Sequence, residues 1–258
     1  MDYLEREGAR LPVLGLGTWD MRGVECRRAV LTALEVGYRS IDTAAFYMNE
    51  AEIGQAIRES FVSREELFLT TKVWHTHLRR EDCIRSLEDS LKQLGTEYVD
   101  LFLIHWPNDA VPLAETLRAM NDLVHQGKTR SIGVSNFSID LLEAAQSLSP
   151  TPILTNQVEY HPFHSPAALL DYCRKAQVIV SAYSPLARGR VLHHPLLREI
   201  AERYGKTPAQ ITLRWLIQQK GVMAIPKATR RDHQEKNFDI FDFRLTDGEM
   251  ADIGSLKT

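Results

Sequence analysis

Four side chains that could act together in proton transfer follow short β-like runs of the chain. They are Asp42 and Tyr47 after residues 39–41, Lys72 after residues 67–71, and His105 after residues 99–104. Strands of one parallel sheet end at the same edge, so the four side chains converge there if these three runs are neighbouring strands.

A phenol beside an ammonium and an imidazole is suited to donating a proton. The free phenol of a tyrosine has a pKa near 10, and an ammonium within about 4–6 Å lowers it. We therefore expect Lys72 to lower the pKa of Tyr47, Asp42 to keep Lys72 charged, and His105 to orient a substrate oxygen. This set suits protonation of a carbonyl oxygen while a hydride reaches the carbon. No serine or cysteine nucleophile lies beside a base in a recognisable motif, so acyl transfer is not indicated.

The elements that must position these residues alternate along the whole chain. β-like runs occupy residues 14–18, 39–41, 67–71, 99–104, 131–134, 155–158, 178–182 and 222–225. Helical runs follow at 24–36, 50–59, 80–94, 113–126, 139–147, 167–175, 196–204, 209–219 and 230–237. A last helix begins at Thr246, where Thr-x-x-Glu forms a capping box with Glu249.

Eight strand–helix units in a chain of 258 residues predict an α/β fold, a closed (β/α)8 TIM barrel rather than an open sheet. Residues 3–12 predict a short N-terminal β-hairpin. No change in composition and no Pro- or Ser-rich linker marks a boundary, so one domain over residues 1–258 is expected. In such barrels the active site lies at the carboxyl ends of the strands, where the four residues above are placed.

Composition narrows the class of protein without assigning a function. The net charge of −3 gives no general attraction to nucleic acid or to an anionic membrane. No apolar stretch is long enough to span a bilayer, and the first residues do not resemble a secretory signal. The three cysteines, Cys26, Cys83 and Cys173, are scattered, which favours a reducing compartment. A cytoplasmic protein is therefore expected.

A hydride needs a donor, and none of these side chains is one, so a cofactor is implied. The stretch 225–233 ends a strand on Lys227 and opens a helix with Arg230 and Arg231. Helix N-termini with added positive charge suit phosphate groups, and Tyr183, at the end of another strand, could stack on a nicotinamide ring. No G-x-G-x-x-G motif is present, so a Rossmann site is not indicated.

Several blocks of the chain resemble conserved blocks of the aldo-keto reductases, and they follow in the family's order. They are residues 37–44 with Glu50 and Gly54, then 103–107, 133–137, 156–159, 182–186 and 225–227. The resemblance implies an NADPH-dependent carbonyl reductase on a (β/α)8 barrel. It is greatest to bacterial members similar to 2,5-diketo-D-gluconate reductases, which also reduce small dicarbonyls such as methylglyoxal.

Matched by position, the resemblance assigns a role to each candidate residue. Tyr47 is the general acid, Lys72 and Asp42 tune it, and His105 orients the substrate. Contacts to NADPH or NADP+ are expected from Ser135, Asn136, Gln157, Tyr183, Ser184, Leu186, Arg188, Lys227, Thr229, Arg230, His233 and Asn237. Trp19, Phe46, Trp74 and Trp106 are expected to form the wall of the substrate pocket.

Two departures from the family pattern concern cofactor preference and specificity. Many members carry serine directly after the last-strand lysine and arginine six positions after it, where this chain has Ala228 and His233. NADPH remains the expected cofactor over NADH. Members also continue into a tail that folds over the substrate, whereas this sequence stops at Thr258, so an open pocket with broad specificity is expected.

Other interpretations of the same residues remain. The pairs His75/His77, His161/His164 and His193/His194 have spacings that suit metal ligands, but no further ligands accompany them and no metal site is expected. A non-catalytic NADP(H)-binding, redox-sensing protein on the same barrel is the main alternative, although a sensor has no need of a proton donor. The family resemblance favours a monomer that acts on a small carbonyl substrate, without nucleic-acid or membrane partners.

Overall fold

The computed structural model of the chain describes residues 2–256. A two-stranded antiparallel hairpin comes first, and eight parallel strands then pair with their neighbours in chain order. The hairpin is β1 (Tyr3–Arg6) and β2 (Ala9–Pro12). The parallel strands are β3 (Leu16–Gly17), β4 (Ser40–Asp42), β5 (Phe68–Val73), β6 (Val99–Ile104), β7 (Thr129–Ser135), β8 (Ile153–Glu159), β9 (Ile179–Tyr183) and β10 (Val222–Ala224).

Helices connect the successive parallel strands, as the (β/α)8 interpretation predicts. They are α1 (Gly23–Val36), α2 (Glu50–Glu59), α3 (Arg80–Leu94), α4 (Leu113–His125), α5 (Ile139–Leu148), α6 (Ala167–Lys175), α7 (Pro195–Tyr204), α8 (Pro208–Ile217), α9 (Arg231–Phe238) and α10 (Asp247–Gly254). Their ends differ from the predicted ends by one or two residues in most cases. The capping box at Thr246 and Glu249 is confirmed.

Backbone hydrogen bonds between the first and last strand segments bring the two edges of the sheet together. Gly15 N donates to Ala224 O at 2.9 Å, and Gly17 N donates to Pro226 O at 3.1 Å. A Cβ atom added to Gly17 would lie 2.6 Å from Ile225 O, a distance that no side chain tolerates, so glycine permits this approach. The sheet therefore curls into a barrel.

Side chains of the central strands alternate between the barrel interior and the helix layer. On β5, Phe68 belongs to an inner apolar cluster with Leu101 and Leu103 of β6, whereas Leu69 and Val73 pack in the outer core against the helices. The two-residue period of a strand puts Lys72 on the same side as Phe68, facing inward. All residues of β5 and β6 are buried.

The predicted hairpin is confirmed, and it covers the end of the barrel where the strands begin. Leu11 of β2 is part of the inner cluster, with Leu4 and Ala9 packed against it. The opposite end, where the strands finish, is left for the polar side chains. Within residues 2–256, no helix is long and apolar enough to cross a membrane.

Candidate active site

The four residues predicted to act together lie at the carboxyl ends of three adjacent strands. Asp42 ends β4, Lys72 lies one residue before the end of β5, and His105 directly follows β6. Tyr47 ends a short 3-10 turn, Ala45–Tyr47, in the loop after β4. All four are buried, Lys72 completely and the other three with 4–8% of their surface exposed.

The Lys72 ammonium is held in place by three oxygen atoms. Its Nζ donates to Asp42 Oδ1 at 2.5 Å and to the Thr43 carbonyl oxygen at 2.8 Å, and it lies 3.5 Å from the Tyr47 hydroxyl. A buried charge is costly unless it is paired and hydrogen-bonded, and Lys72 meets both conditions. The two short bonds, to Asp42 and to the Thr43 carbonyl, therefore fix the position of the ammonium, and the Tyr47 hydroxyl is a third, longer contact.

Asp42 is held on its second oxygen by Gln157 of β8. The Gln157 Nε2 donates to Asp42 Oδ2 at 2.7 Å. Sequence reasoning placed Gln157 with the cofactor residues and did not anticipate this bond across the barrel. Asp42 therefore has both oxygens engaged, one by a cation and one by an amide, which fixes its orientation.

The electrostatics of Tyr47 differ from the prediction. Burial is the largest influence and raises the pKa of Tyr47 above its ordinary value of 10, and this effect outweighs the opposing effect of Lys72. Lys72 does lower the pKa of Tyr47, as expected, but the net shift is upward, because the phenol is removed from water and Asp42 partly offsets the ammonium. Burial also disfavours the charged form of Lys72, but Asp42 and Tyr47 outweigh it and the pKa of Lys72 is raised. At neutral pH the site therefore holds a protonated phenol beside a protonated amine.

His105 is the neutral member of the group. Burial, together with the nearby charges of Lys72 and His75, lowers the pKa of His105 to about 3. Its Nε2 lies 3.5 Å from the Tyr47 hydroxyl, while its buried Nδ1 has no hydrogen-bond partner within the described chain. A neutral imidazole carries one proton, so it can donate a single hydrogen bond to a substrate oxygen.

Aromatic rings surround the phenol and the imidazole. The Phe46 ring stacks on Trp74 at 3.8 Å between centroids, and Trp19 stacks on the other side of Phe46 at 5.9 Å. Trp19 also meets Tyr47 edge-on at 4.9 Å, and Trp74 meets His105 edge-on at 5.1 Å. Trp19 and Phe46 are 51% and 41% exposed, which leaves apolar surface open beside the buried polar group.

Trp106 differs from the other three predicted wall residues, because it does not pack against another aromatic ring within residues 2–256. It directly follows His105 and is 43% exposed. Its role in the pocket wall therefore stays a prediction.

Predicted cofactor residues at the ends of β7, β8 and β9 form one hydrogen-bonded group. Ser135 Oγ donates to the Gln157 carbonyl oxygen at 2.8 Å, and Asn136 Nδ2 donates to Ser135 Oγ at 3.0 Å and to the His105 carbonyl oxygen at 3.2 Å. The Tyr183 hydroxyl donates to Asn136 Oδ1 at 3.0 Å. The amide and hydroxyl groups that sequence reasoning assembled are therefore neighbours, and they contact the backbone of His105.

The loops beyond the strand ends contain an unusual number of left-handed backbone positions. Within residues 2–256, eight non-glycine residues have positive φ, and six of them lie in these loops: Asp20, Met48, Asn136, Ser184, Ala187 and Arg188. Such conformations cost energy and cluster at functional sites. Asn136, Ser184 and Arg188 were predicted to contact the cofactor, while Leu186 lies half-buried among them.

The cations predicted to hold phosphate differ in whether they are already paired. Arg230 makes two hydrogen bonds to Asp232, at 2.8 and 2.9 Å, and His233 lies 3.9 Å from the same carboxylate. Among the described residues, Lys227 instead donates only to a backbone oxygen, that of Asp20, at 3.1 Å. Thr229 is half-buried and Asn237 is buried. Lys227 is therefore the cation in this segment that can pair with an anion at least cost.

Two residues at the site were not singled out by sequence reasoning. Asn49 is completely buried, and Thr43 supplies both a carbonyl to Lys72 and a hydroxyl to Asn49. Neither titrates near neutral pH, so a search for proton chemistry did not select them. Within residues 2–256 no group of three or more His, Cys, Asp or Glu side chains could hold a metal ion.

Comparison with known protein families identifies the class of protein that has this fold and this site. The Aldo/keto reductase family model matches residues 13–258, and the chain belongs to this family. A glyoxal reductase of Bacillus subtilis is 42% identical over 251 residues, which cover 97% of this chain and 90% of that protein.

Comparison with solved structures identifies the same family. A putative 2,5-diketo-D-gluconic acid reductase B aligns with a TM-score of 0.98 at 44% identity, covering 100% of this chain and 92% of the other. A Bombyx mori aldo-keto reductase, solved in complex with NADP, aligns with a TM-score of 0.90 at 37% identity, covering 96% and 90%. The chain is therefore an oxidoreductase that acts on carbonyl groups.

Proposed function

We propose that this aldo-keto reductase uses NADPH to reduce aldehydes and ketones, such as small dicarbonyls and keto-sugars, to alcohols, with Tyr47 as the general acid. One observation carries the proposal. The Tyr47 hydroxyl lies 3.5 Å from both Lys72 Nζ and His105 Nε2, at the ends of three adjacent strands. A proton donor, a cation and a neutral hydrogen-bond donor thus meet at one point.

A carbonyl oxygen placed between Tyr47 and His105 accepts a hydrogen bond from each. As negative charge develops on that oxygen, the Tyr47 O–H bond breaks and its proton moves to the substrate. The phenolate left behind is stabilised by the ammonium of Lys72, and Asp42 keeps that ammonium charged. The raised pKa of Tyr47 keeps the acid protonated over the neutral range, ready for reduction.

The residues present fit a nicotinamide dinucleotide. Ser135, Asn136 and Gln157 offer hydroxyl and amide groups suited to a carboxamide, and the Tyr183 ring lies next to them. Lys227 and Arg188 are exposed and form no ion pair within residues 2–256, so they suit the phosphates. When bound, NADPH supplies the hydride. Two relatives, a glyoxal reductase and an aldo-keto reductase solved in complex with NADP, support the same substrate class and cofactor.

The wider setting belongs to the same proposal. A single domain over residues 1–258, a monomer and a cytoplasmic location accord with the family and the compositional pattern. The net charge of −3 argues against nucleic acid or a membrane as a partner. The half-exposed aromatic wall of Trp19 and Phe46 accords with small, varied carbonyl substrates.

The test is NADPH oxidation, followed by absorbance, with methylglyoxal, a nitrobenzaldehyde and a keto-sugar as substrates. We expect turnover by the wild type and a fall in kcat of about 10²- to 10⁴-fold in Tyr47→Phe, because the proton donor is lost. Tyr98→Phe is the matched control, since Tyr98 lies before β6 at the opposite end of the barrel and its buried hydroxyl has no hydrogen-bond partner in the described part of the chain. We expect its kcat to equal that of the wild type.

Equal rates in Tyr47→Phe and the wild type would remove Tyr47 from the mechanism. No turnover with any carbonyl, combined with tight NADPH binding, would favour the non-catalytic, redox-sensing interpretation. Weak binding of NADPH beside normal turnover with NADH would overturn the choice of cofactor.

A further inference from the structure

The buried side chain of Asn49 ties two active-site loops together. Its Nδ2 donates to the Thr18 carbonyl oxygen at 2.9 Å and to the Met21 carbonyl oxygen at 3.1 Å. Its Oδ1 accepts a hydrogen bond from Thr43 Oγ1 at 2.8 Å. Asn49 lies in the loop that carries Tyr47, and the two carbonyls belong to the turn after β3.

The turn after β3 places an aromatic ring in contact with Tyr47, the proposed acid. It carries Trp19, whose ring packs edge-on against Tyr47 at 4.9 Å and remains half exposed. Asp20, the next residue, has φ of 59°, a left-handed conformation that is uncommon for residues other than glycine. The two bonds from Asn49 bracket this strained turn on both sides.

The same amide reaches the buried cation through one further residue. The hydroxyl of Thr43 bonds to Asn49, and the carbonyl of Thr43 accepts from Lys72 Nζ at 2.8 Å. A continuous hydrogen-bonded path therefore joins the Trp19 turn to Lys72 through Asn49.

We propose that Asn49 is a positioning residue for carbonyl reduction: it holds Trp19 against Tyr47 and, through Thr43, holds the Tyr47 loop against Lys72. The kinetic part of this proposal rests on the proposed function, whereas the structural part, the placement of Trp19, does not. Catalytic geometry is sensitive to small shifts, since a displacement of about 1 Å can lower the rate about 100-fold. Asn49 touches no reacting atom and acts only through these neighbours.

A general structural role would look different, and Asn121 supplies the comparison. Asn121 is also buried, and its Nδ2 donates to the Leu117 carbonyl oxygen at 2.7 Å and to Ser149 Oγ at 3.1 Å. Its Oδ1 accepts from Thr151 N at 3.1 Å. It lies on α4 in the outer helix layer, so Asn121→Ala removes similar bonds away from the catalytic group.

The experiment compares Asn49→Ala, Asn49→Asp and Asn121→Ala with the wild type. Aspartate matches asparagine in size but cannot donate to both carbonyls, because an ionised carboxyl has no donor and a protonated one has a single O–H. It serves if the alanine variant does not fold. The first readout is the Trp19 contribution to near-ultraviolet circular dichroism, defined as the wild-type spectrum minus that of Trp19→Phe. The second is kcat/KM with methylglyoxal.

We expect both Asn49 variants to lose the Trp19 contribution and to lower kcat/KM by about 10- to 100-fold. We expect Asn121→Ala to keep both, even if its melting temperature falls as much. Retention of the Trp19 signal in the Asn49 variants, or equal loss in Asn121→Ala, overturns the proposal. If the wild type shows no turnover, the proposed function fails, and the dichroism comparison still decides whether Asn49 places Trp19.

Discussion

The two ends of the barrel contain the same kinds of side chain arranged for different purposes. At the carboxyl ends of the strands, Asp42 pairs with Lys72 beside Tyr47. At the amino ends, Asp100 pairs with Arg64 at 2.8 Å and with Arg130 at 3.1 Å. Both arginines lie over the ring of Tyr98, each 4.1 Å from its centroid. Strand β6 joins the two ends, since it begins at Val99 beside Asp100 and ends next to His105.

The difference lies in what each cation reaches. A guanidinium is planar, so at the amino end both arginines stack on the faces of Tyr98 and direct their N–H groups to Asp100. Within residues 2–256, the Tyr98 hydroxyl has no hydrogen-bond partner. A lysine ammonium is compact, and Lys72 reaches the hydroxyl of Tyr47 as well as its ring: Nζ lies 5.0 Å from the ring centroid and 3.5 Å from the phenol oxygen. The first arrangement suits stabilisation of the fold, and the second suits the proton transfer that we propose for Tyr47.

The largest expected effect is the loss of activity on replacing Lys72, the cation of the Asp42 pair. Lys72→Met removes the cation that stabilises the phenolate, so we expect kcat to fall about 100-fold or more. It also leaves Asp42 buried without a cation, which costs about 3–5 kcal/mol of unfolding free energy. Steady-state kinetics and urea denaturation measure the two effects.

Arg64→Met is the matched change at the other end. Arg64 bonds to the Tyr98 and Leu67 carbonyl oxygens as well as to Asp100, so we expect lower stability with kcat unchanged. A fall in kcat in this variant comparable to that in Lys72→Met would contradict the division of labour between the two ends.

The next effect concerns the neutral histidine at the carboxyl end. His105 has an ordinary pKa of 6.5 that folding lowers to about 3. Between pH 6.5 and about pH 3, the His105 side chain binds a proton in the unfolded chain but stays neutral in the folded chain. Stability is therefore present above pH 6.5 and falls as the pH drops toward 3, by at most about 1.4 kcal/mol per pH unit.

His105→Asn removes the contribution of His105 to the pH dependence of stability. We expect the unfolding free energy of the variant to decline less steeply than that of the wild type over the same pH window, measured by denaturant titration at several pH values. His125→Asn, which removes an exposed histidine at the end of α4, is the control. Parallel curves for the wild type and His105→Asn would show that His105 is not held neutral by the fold.

The smallest expected effect tests the unpaired cations. At the amino end, Arg64 and Arg130 are paired with a carboxylate, whereas within residues 2–256 Lys227 bonds only to the carbonyl oxygen of Asp20. We expect Lys227→Ala to raise the dissociation constant for NADPH about tenfold, with a smaller change for NADH, because one phosphate contact is worth about 1.4 kcal/mol. Titration calorimetry measures both.

Arg230→Ala provides the contrast, since Arg230 is already paired with Asp232. We expect a weaker effect on NADPH binding. A larger effect than that of Lys227→Ala would assign the phosphate to Arg230 and would mean that its pairing with Asp232 breaks when the cofactor binds.

The sequence by itself determined the order of strands and helices and the location of the proposed acid, Tyr47. Eight β-like runs that alternate with helices predict parallel strands, and Asp42, Lys72 and His105 are recognisable because each follows one of these runs. In a parallel sheet all such strand ends meet at one edge, so local order along the chain is enough to place these residues together.

Only the tertiary structure decided the balance of forces within the site. Whether Tyr47 is made more or less acidic depends on how deeply it is buried relative to its distance from Lys72, and burial proved larger. The bond from Gln157 to Asp42 and the bonds from Asn49 to Thr18 and Met21 join residues far apart in the chain. A residue type and its local spacing do not specify such partners, because they depend on which loops come together when the barrel closes.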